Sequence, residues 1–210
     1  MDIIMTIIQP ILLGGKKYTH GLTGKEVEGY HRRVLHPIEF ISLRKAAKKY
    51  ENQLRLDLEL LTAGRYSELR ELQWNKQWYE FDNNALHIKE HKVKRLERGV
   101  PERYIHLSNR GKSQVEAFLN HPDIHLSSYS AMWNNLERWA KRADIDPTGL
   151  TVKCFRKTYE SWLIYVYPEK AISIFLSTGH TEKTAMEHYL NLPFTEEDKI
   201  LMREYVDGWQ

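Results

Sequence analysis

Six side chains of this sequence arrive in an order that suits one reaction: Arg65, Lys92, Lys153, Arg156, His180 and Tyr189. Attack on a phosphodiester builds negative charge on its non-bridging oxygens. A guanidinium meets that charge with a forked pair of hydrogen bonds and does not lose its proton. Preorganised donors of this kind contribute roughly 3–4 kcal/mol each to a transition state. A departing 5′-oxygen is strongly basic and needs a proton, which a positioned lysine supplies. A tyrosine hydroxyl, with an ordinary pKa of about 10, becomes a nucleophile once its proton is taken or its oxyanion is held. The six residues contain all these parts. Taken singly each has a plain structural role, as a turn histidine, a core tyrosine or a solvated lysine, so the case rests on their order and spacing.

Composition sets the frame. At 210 residues the chain fits one folded domain with a genuine core, and its net charge of +3 permits a nucleic-acid partner without demanding one. The single cysteine, Cys154, excludes an intrachain disulfide and a cysteine-based zinc cage. The ten histidines are scattered, with no HExxH pattern and no carboxylate cluster at metal-binding spacing, so neither metal nor cofactor is called for. A reducing, intracellular setting is expected. The apolar opening, Met1 to Leu13, is interrupted by Asp2, Gln9 and Pro10 and is too short to cross a bilayer, so no membrane partner is expected.

These residues need elements to hold them. After a turn-rich entry at 14–24, the pattern predicts a short helix from Lys25 to about Val34, ending before Pro37. A strong helix is expected from Ser42, with Leu43, Ala46, Ala47, Tyr50, Leu54, Leu58 and Leu61 on one apolar face. Lys45, Lys48, Lys49, Arg55 and Glu59 fall off that face and read as solvated surface. Gly64 reads as the stop, and Arg65 opens a second helix, where free backbone N–H groups favour a phosphate. Glu68 reads as support for the Arg65 turn.

From Trp74 to Ser108 the period becomes two. A hairpin turns at Asp82-Asn83-Asn84, and a third strand follows at Arg103 to Leu107. The basic loop between them carries Lys89, Lys92 and Lys94, any of which a hairpin tip can deliver into a groove. Helices follow from Ser108-Asn109 to Asn120, from Ser127 or Ser128 through Ala143, and from Val152 to Val166. In the last of these Phe155, Tyr159, Trp162, Leu163 and Val166 form the apolar stripe, and Lys153, Arg156, Lys157 and Glu160 lie on a polar face. Pro168 begins a helix that Thr178-Gly179 ends, and Thr195 begins a C-terminal one. The whole reads as one mostly α domain with a small three-stranded antiparallel sheet, an α+β fold, preceded over 1–40 by an arm or linker remnant and running over 41–210.

The run Thr62-Ala63-Gly64-Arg65-Tyr66-Ser67-Glu68-Leu69 resembles the first box of the tyrosine recombinase (phage integrase) family. Lys92 resembles that family's hairpin lysine, and Lys153 to Thr158 is similar to its His-x-x-Arg box. Leu176-Ser177-Thr178-Gly179-His180 is similar to its Leu-Gly-His box, with Tyr189 nine positions on. The similarity runs from about residue 42 to 192. Lysine at position 153, where bacterial and phage members have histidine, is most like archaeal, fusellovirus-type integrases. It leaves open whether this position moves a proton or only binds phosphate.

The resemblance implies site-specific DNA recombination by transesterification, without metal or ATP. Tyr189 would form a 3′-phosphotyrosyl bond, Arg65 and Arg156 would hold the non-bridging oxygens, Lys92 would protonate the leaving oxygen, and His180 and Lys153 would assist. It further implies a double-stranded attachment site and a homo-tetramer in the synaptic complex, from protomers that alone are monomeric or weakly associated. The segment after Tyr189 would dock on a neighbour. The family's separate N-terminal domain has no counterpart in the 40 or so residues ahead of the similarity, so the chain reads as a minimal enzyme, a trimmed piece or a fragment. Two other readings share these features: a type IB topoisomerase, and a catalytically silent DNA-binding regulator.

Overall fold

The computed structural model describes residues 10–13, 17–19, 26–28, 32–89, 102–179 and 192–210, with backbone alone for 13, 17–19, 26–28 and 32. Its centre is α2 (Tyr50–Thr62). Leu54, Leu56, Leu58, Leu60 and Leu61 of this helix are all buried, so it presents apolar residues to more than one side. It therefore serves two cores. Leu56, Leu60 and Leu61 join Phe40 and Leu43 of α1 (Pro37–Ala46), and Met132 and Leu136 of α5 (Tyr129–Arg142). Phe155 and Trp162 of α6 (Val152–Val166) complete that core with Met202 and Tyr205 of α8 (Glu196–Val206). Leu54 and Leu58 face the other way, onto α3 (Tyr66–Leu72), α4 (Asn109–Asn120) and the sheet.

That sheet is antiparallel in the order β5 (Tyr79–Glu80), β6 (Ala85–Ile88) and β7 (Arg103–His106), with Leu86 opposite Ile105 and Ile88 opposite Arg103. The mostly helical fold with a three-stranded sheet is the one expected from sequence. Helix starts agree where an oxygen-bearing cap is present. Ser108, Ser128 and Thr195 accept from the N–H groups of Gly111, Ala131 and Asp198 at 3.1, 3.3 and 3.1 Å.

Several expectations fail, each for a tertiary reason. The helix over Lys25 to Val34 is absent. Strand β3 (Glu26–Glu28) pairs with β2 (Lys17–Thr19), and β4 (Arg32–Val34) pairs with β1 (Ile11–Leu13). The single helix expected from Ser42 is two helices, α1 and α2, separated at residues 47–49. Apolar residues keep a helical period across that break, so the pattern conceals it. Helix α1 begins earlier, with Pro37 in its first turn and Glu39 Oε2 accepting the His36 N–H at 2.9 Å. Glu59, expected on the surface, is 2 % exposed. In α5 the packed tryptophan is Trp139, whereas Trp133 and Tyr129 are exposed.

The C-terminus is part of the same core. Ser108 Oγ donates to the Tyr205 carbonyl at 2.6 Å, and Lys170 Nζ reaches the Trp209 carbonyl at 3.1 Å. Trp209 is buried, so α8 and the tail pack on their own chain.

Candidate active site

The site is assembled at one end of α2. The helix stops at Thr62, and Ala63, not the expected Gly64, takes the left-handed cap at φ 47°, ψ 20°. Gly64 is needed for closeness: a Cβ there would stand 2.8 Å from Leu69 Cδ2. Arg65 is then extended at the start of α3, with φ −71° and ψ 140°. Its N–H donates to Glu68 Oε2 at 2.8 Å and its Nη1 to Glu68 Oε1 at 2.8 Å. Glu68 does support the Arg65 turn. The N–H of Arg65, expected to face a phosphate, is taken by that carboxylate. The Arg65 side chain remains 37 % exposed, so its outer edge is open to a ligand.

Arg156 enters from α6. Its Nη1 donates to the carbonyl of Ala63 at 3.0 Å, its Nη2 donates to the carbonyl of Thr178, and its Nε lies 3.3 Å from Glu160 Oε1. One guanidinium thus joins the cap of α2 to the end of α7 (Ala171–Thr178). Burial lowers the Arg156 pKa from its ordinary value; Glu160 opposes that fall, while Arg65 and Arg103 deepen it by like-charge repulsion. The three arginines form one electrostatic cluster. Of the α6 face expected to be polar, Lys157 and Glu160 are buried, 7 % and 0 % exposed, with Lys157 Nζ 3.3 Å from Glu160 Oε2. Lys153, one turn before Arg156, is exposed.

Arg103 was not picked out by sequence spacing. It faces inward on β7 between exposed Glu102 and exposed Tyr104, and its Nη2 donates to Glu68 Oε2 at 2.6 Å. The available signal was local: an arginine in an inward strand position alternating with Ile105 needs a buried partner. Burial alone would raise the Glu68 pKa. Hydrogen bonding and charge from Arg103, then charge and hydrogen bonding from Arg65, outweigh it and hold the carboxyl below its ordinary value.

Gly179 closes this side of the cluster. Its φ of 69° is left-handed, and a Cβ on it would lie 3.0 Å from Arg103 Cδ and 3.3 Å from Arg103 Nε. Both facts require glycine. Lys92, His180 and Tyr189 lie outside the described residues, as does Lys94; Lys89 is exposed at the end of β6. Of the six residues singled out by sequence, the structure brings together Arg65 and Arg156 and sets Lys153 on the same helix as Arg156. Among the described residues no group of three or more His, Cys, Asp or Glu side chains could hold a metal ion, and no helix is long and apolar enough to cross a membrane.

No protein-family model and no curated protein matches the sequence. The fold does have solved counterparts. The crystal structure of XerA recombinase, a tyrosine recombinase, superposes with a TM-score of 0.58 at 15 % identity, over 81 % of this chain and 64 % of that one. The chain thus spans under two thirds of that protein's length. Its architecture, mostly helical with a small antiparallel sheet, is that of a tyrosine recombinase fold.

Proposed function

We propose that this chain is the catalytic domain of a site-specific DNA recombinase, cutting and rejoining strands through a 3′-phosphotyrosyl intermediate on Tyr189. The observation that carries this reading is Arg156, which bonds both the carbonyl of Ala63, two positions before Arg65, and the carbonyl of Thr178, two positions before His180. Two guanidiniums in one electrostatic cluster suit a phosphodiester whose oxygens gain charge as it is attacked.

In the reaction, the Tyr189 oxygen bonds to phosphorus, the bond to the 5′-oxygen breaks, and Lys92 gives that oxygen its proton. Arg65 and Arg156 hold the non-bridging oxygens, and His180 and Lys153 hydrogen-bond to the phosphate or move the tyrosine proton. The phosphodiester energy is kept in the covalent bond, so a 5′-hydroxyl from a second duplex reverses the step without ATP. The partner is a double-stranded attachment site inside the host cell of a virus or mobile element, bound by a homo-tetramer, and the lysine at 153 is the feature that points to an archaeal, fusellovirus-like source.

The test is a nicked suicide duplex carrying the element's attachment sequence, incubated with chelator and resolved on a denaturing gel. A covalent protein–DNA band that disappears in Tyr189→Phe supports the reading. A band that persists in Tyr189→Phe misassigns the nucleophile, and binding with no band makes the chain a DNA-binding regulator. Relaxation of supercoiled DNA without a specific site would assign the same chemistry to a topoisomerase.

A further inference from the structure

Glu68 poses a problem for any anion at Arg65. It is a buried carboxylate, held ionised, and its Oε1 lies 2.8 Å from the Arg65 guanidinium. A bound phosphate must share Arg65 with it. Whether Arg65 is available therefore depends on what else engages Glu68.

We propose that Arg103 is a positioning residue that engages Glu68 and so leaves Arg65 available to a bound phosphate. The bond from Arg103 Nη2 to Oε2, at 2.6 Å, is shorter than either bond from Arg65. Arg103 is 6 % exposed, and its Nε and Nη1 have no hydrogen-bond partner among the described residues. A buried guanidinium with unpartnered nitrogens is unfavourable for folding in itself, so packing alone does not account for it. Its charge does account for it. Among the described residues the linked cluster contains four cations, Arg65, Arg103, Arg156 and Lys157, against two carboxylates, Glu68 and Glu160. Two positive charges are in excess, facing a ligand whose negative charge grows during attack. Without Arg103 one remains, and Glu68 turns wholly to Arg65.

Position supports the same role. The unpartnered side of Arg103 packs under Gly179, immediately before His180, and its charge reaches Arg156. A single side chain thus touches the support of one phosphate arginine and the turn after the other's carbonyl anchor, Thr178.

This inference rests on the phosphate-site reading above, and its test does not require DNA cleavage. The probe is tungstate, a tetrahedral oxyanion, titrated against the full chain in chelator and followed by thermal stabilisation. Wild type should respond, and Arg65→Met should abolish the response. Arg103→Met should raise the half-saturating concentration about tenfold, and Arg103→Met/Glu68→Gln should recover most of that loss, the non-additivity expected of directly coupled groups. Glu68→Gln alone should bind tungstate more tightly than wild type, which keeps the test open should Arg103→Met fail to fold. A merely structural Arg103 gives no recovery in the double variant. The proposal is overturned by a wild type that ignores tungstate, by a response that survives Arg65→Met, by equal affinities in wild type and Arg103→Met, or by weaker binding in Glu68→Gln. A chain that binds tungstate in this pattern yet forms no adduct with the suicide duplex keeps the Arg103 assignment and refutes the recombinase reading.

Discussion

Arg156 Nη1 donates to the carbonyl oxygen of Ala63 across 93 positions of sequence, at 3.0 Å. The same side chain also bonds Thr178 and Glu160, so a residue expected to bind phosphate is at the same time the joint between α2, α6 and α7. Stability and chemistry are therefore coupled at this position.

Arg156→Lys keeps the charge but lacks the fork, and a single ammonium cannot reach two carbonyls and Glu160 together. Denaturant unfolding should show a loss of about 1–3 kcal/mol, the scale of buried polar groups left unsatisfied. Suicide-substrate cleavage should fall on the order of 10²-fold or more. An unchanged unfolding midpoint would show that the joint is not stabilising.

Glu59 offers a pH test. It is fully buried, neither carboxyl oxygen has a hydrogen-bond partner among the described residues, and burial holds its pKa well above the ordinary range. The folded chain therefore keeps this proton where the unfolded chain has released it. Below the unfolded value both states are protonated and Glu59 contributes nothing; above it, stability falls as pH rises towards the folded value. Glu59→Gln removes that dependence. Its melting temperature should exceed that of wild type at pH 7 to 8, with the gap closing towards pH 4. A gap of constant size across that range would refute the assignment.

Gly179→Ala meets both a left-handed φ and the Arg103 side chain. A loss of about 1 kcal/mol or more is expected in chemical unfolding. Adduct formation should also decline, because Arg103 must shift to admit the methyl group. A variant with wild-type unfolding would mean the turn adjusts freely.

The C-terminal segment can be tested by Trp209→Ala. Trp209 is buried against its own chain and lies 6.0 Å, edge to face, from His106. Replacing a buried tryptophan by alanine costs about 3–5 kcal/mol. The monomer should lose that much in equilibrium unfolding at low protein concentration. If the loss appears only at concentrations where chains associate, the segment's burial belongs to an assembly and not to the single chain.

Much of this protein was determined locally. Caps at Ser108, Ser128 and Thr195, the hairpin turn at Asp82-Asn83-Asn84 and the apolar stripe of α6 each depend on residues within a few positions of one another, so sequence alone placed them. The support of Arg65 by Glu68, three positions on, was legible for the same reason. What sequence could not decide was which side of an element is covered. Glu59, Lys157 and Glu160 are polar, and polarity is the only local cue, yet the faces of α2 and α6 that carry them are buried. The strands at 26–28 and 32–34 are three residues each, too short for a period to register. Arg103 enters the site only because β7 lies beside α7 and α3, with Glu68 35 positions away. Only the tertiary fold decided that the Glu68 carboxylate and a third guanidinium meet at Arg65, because charge acts through space between residues that sequence keeps apart.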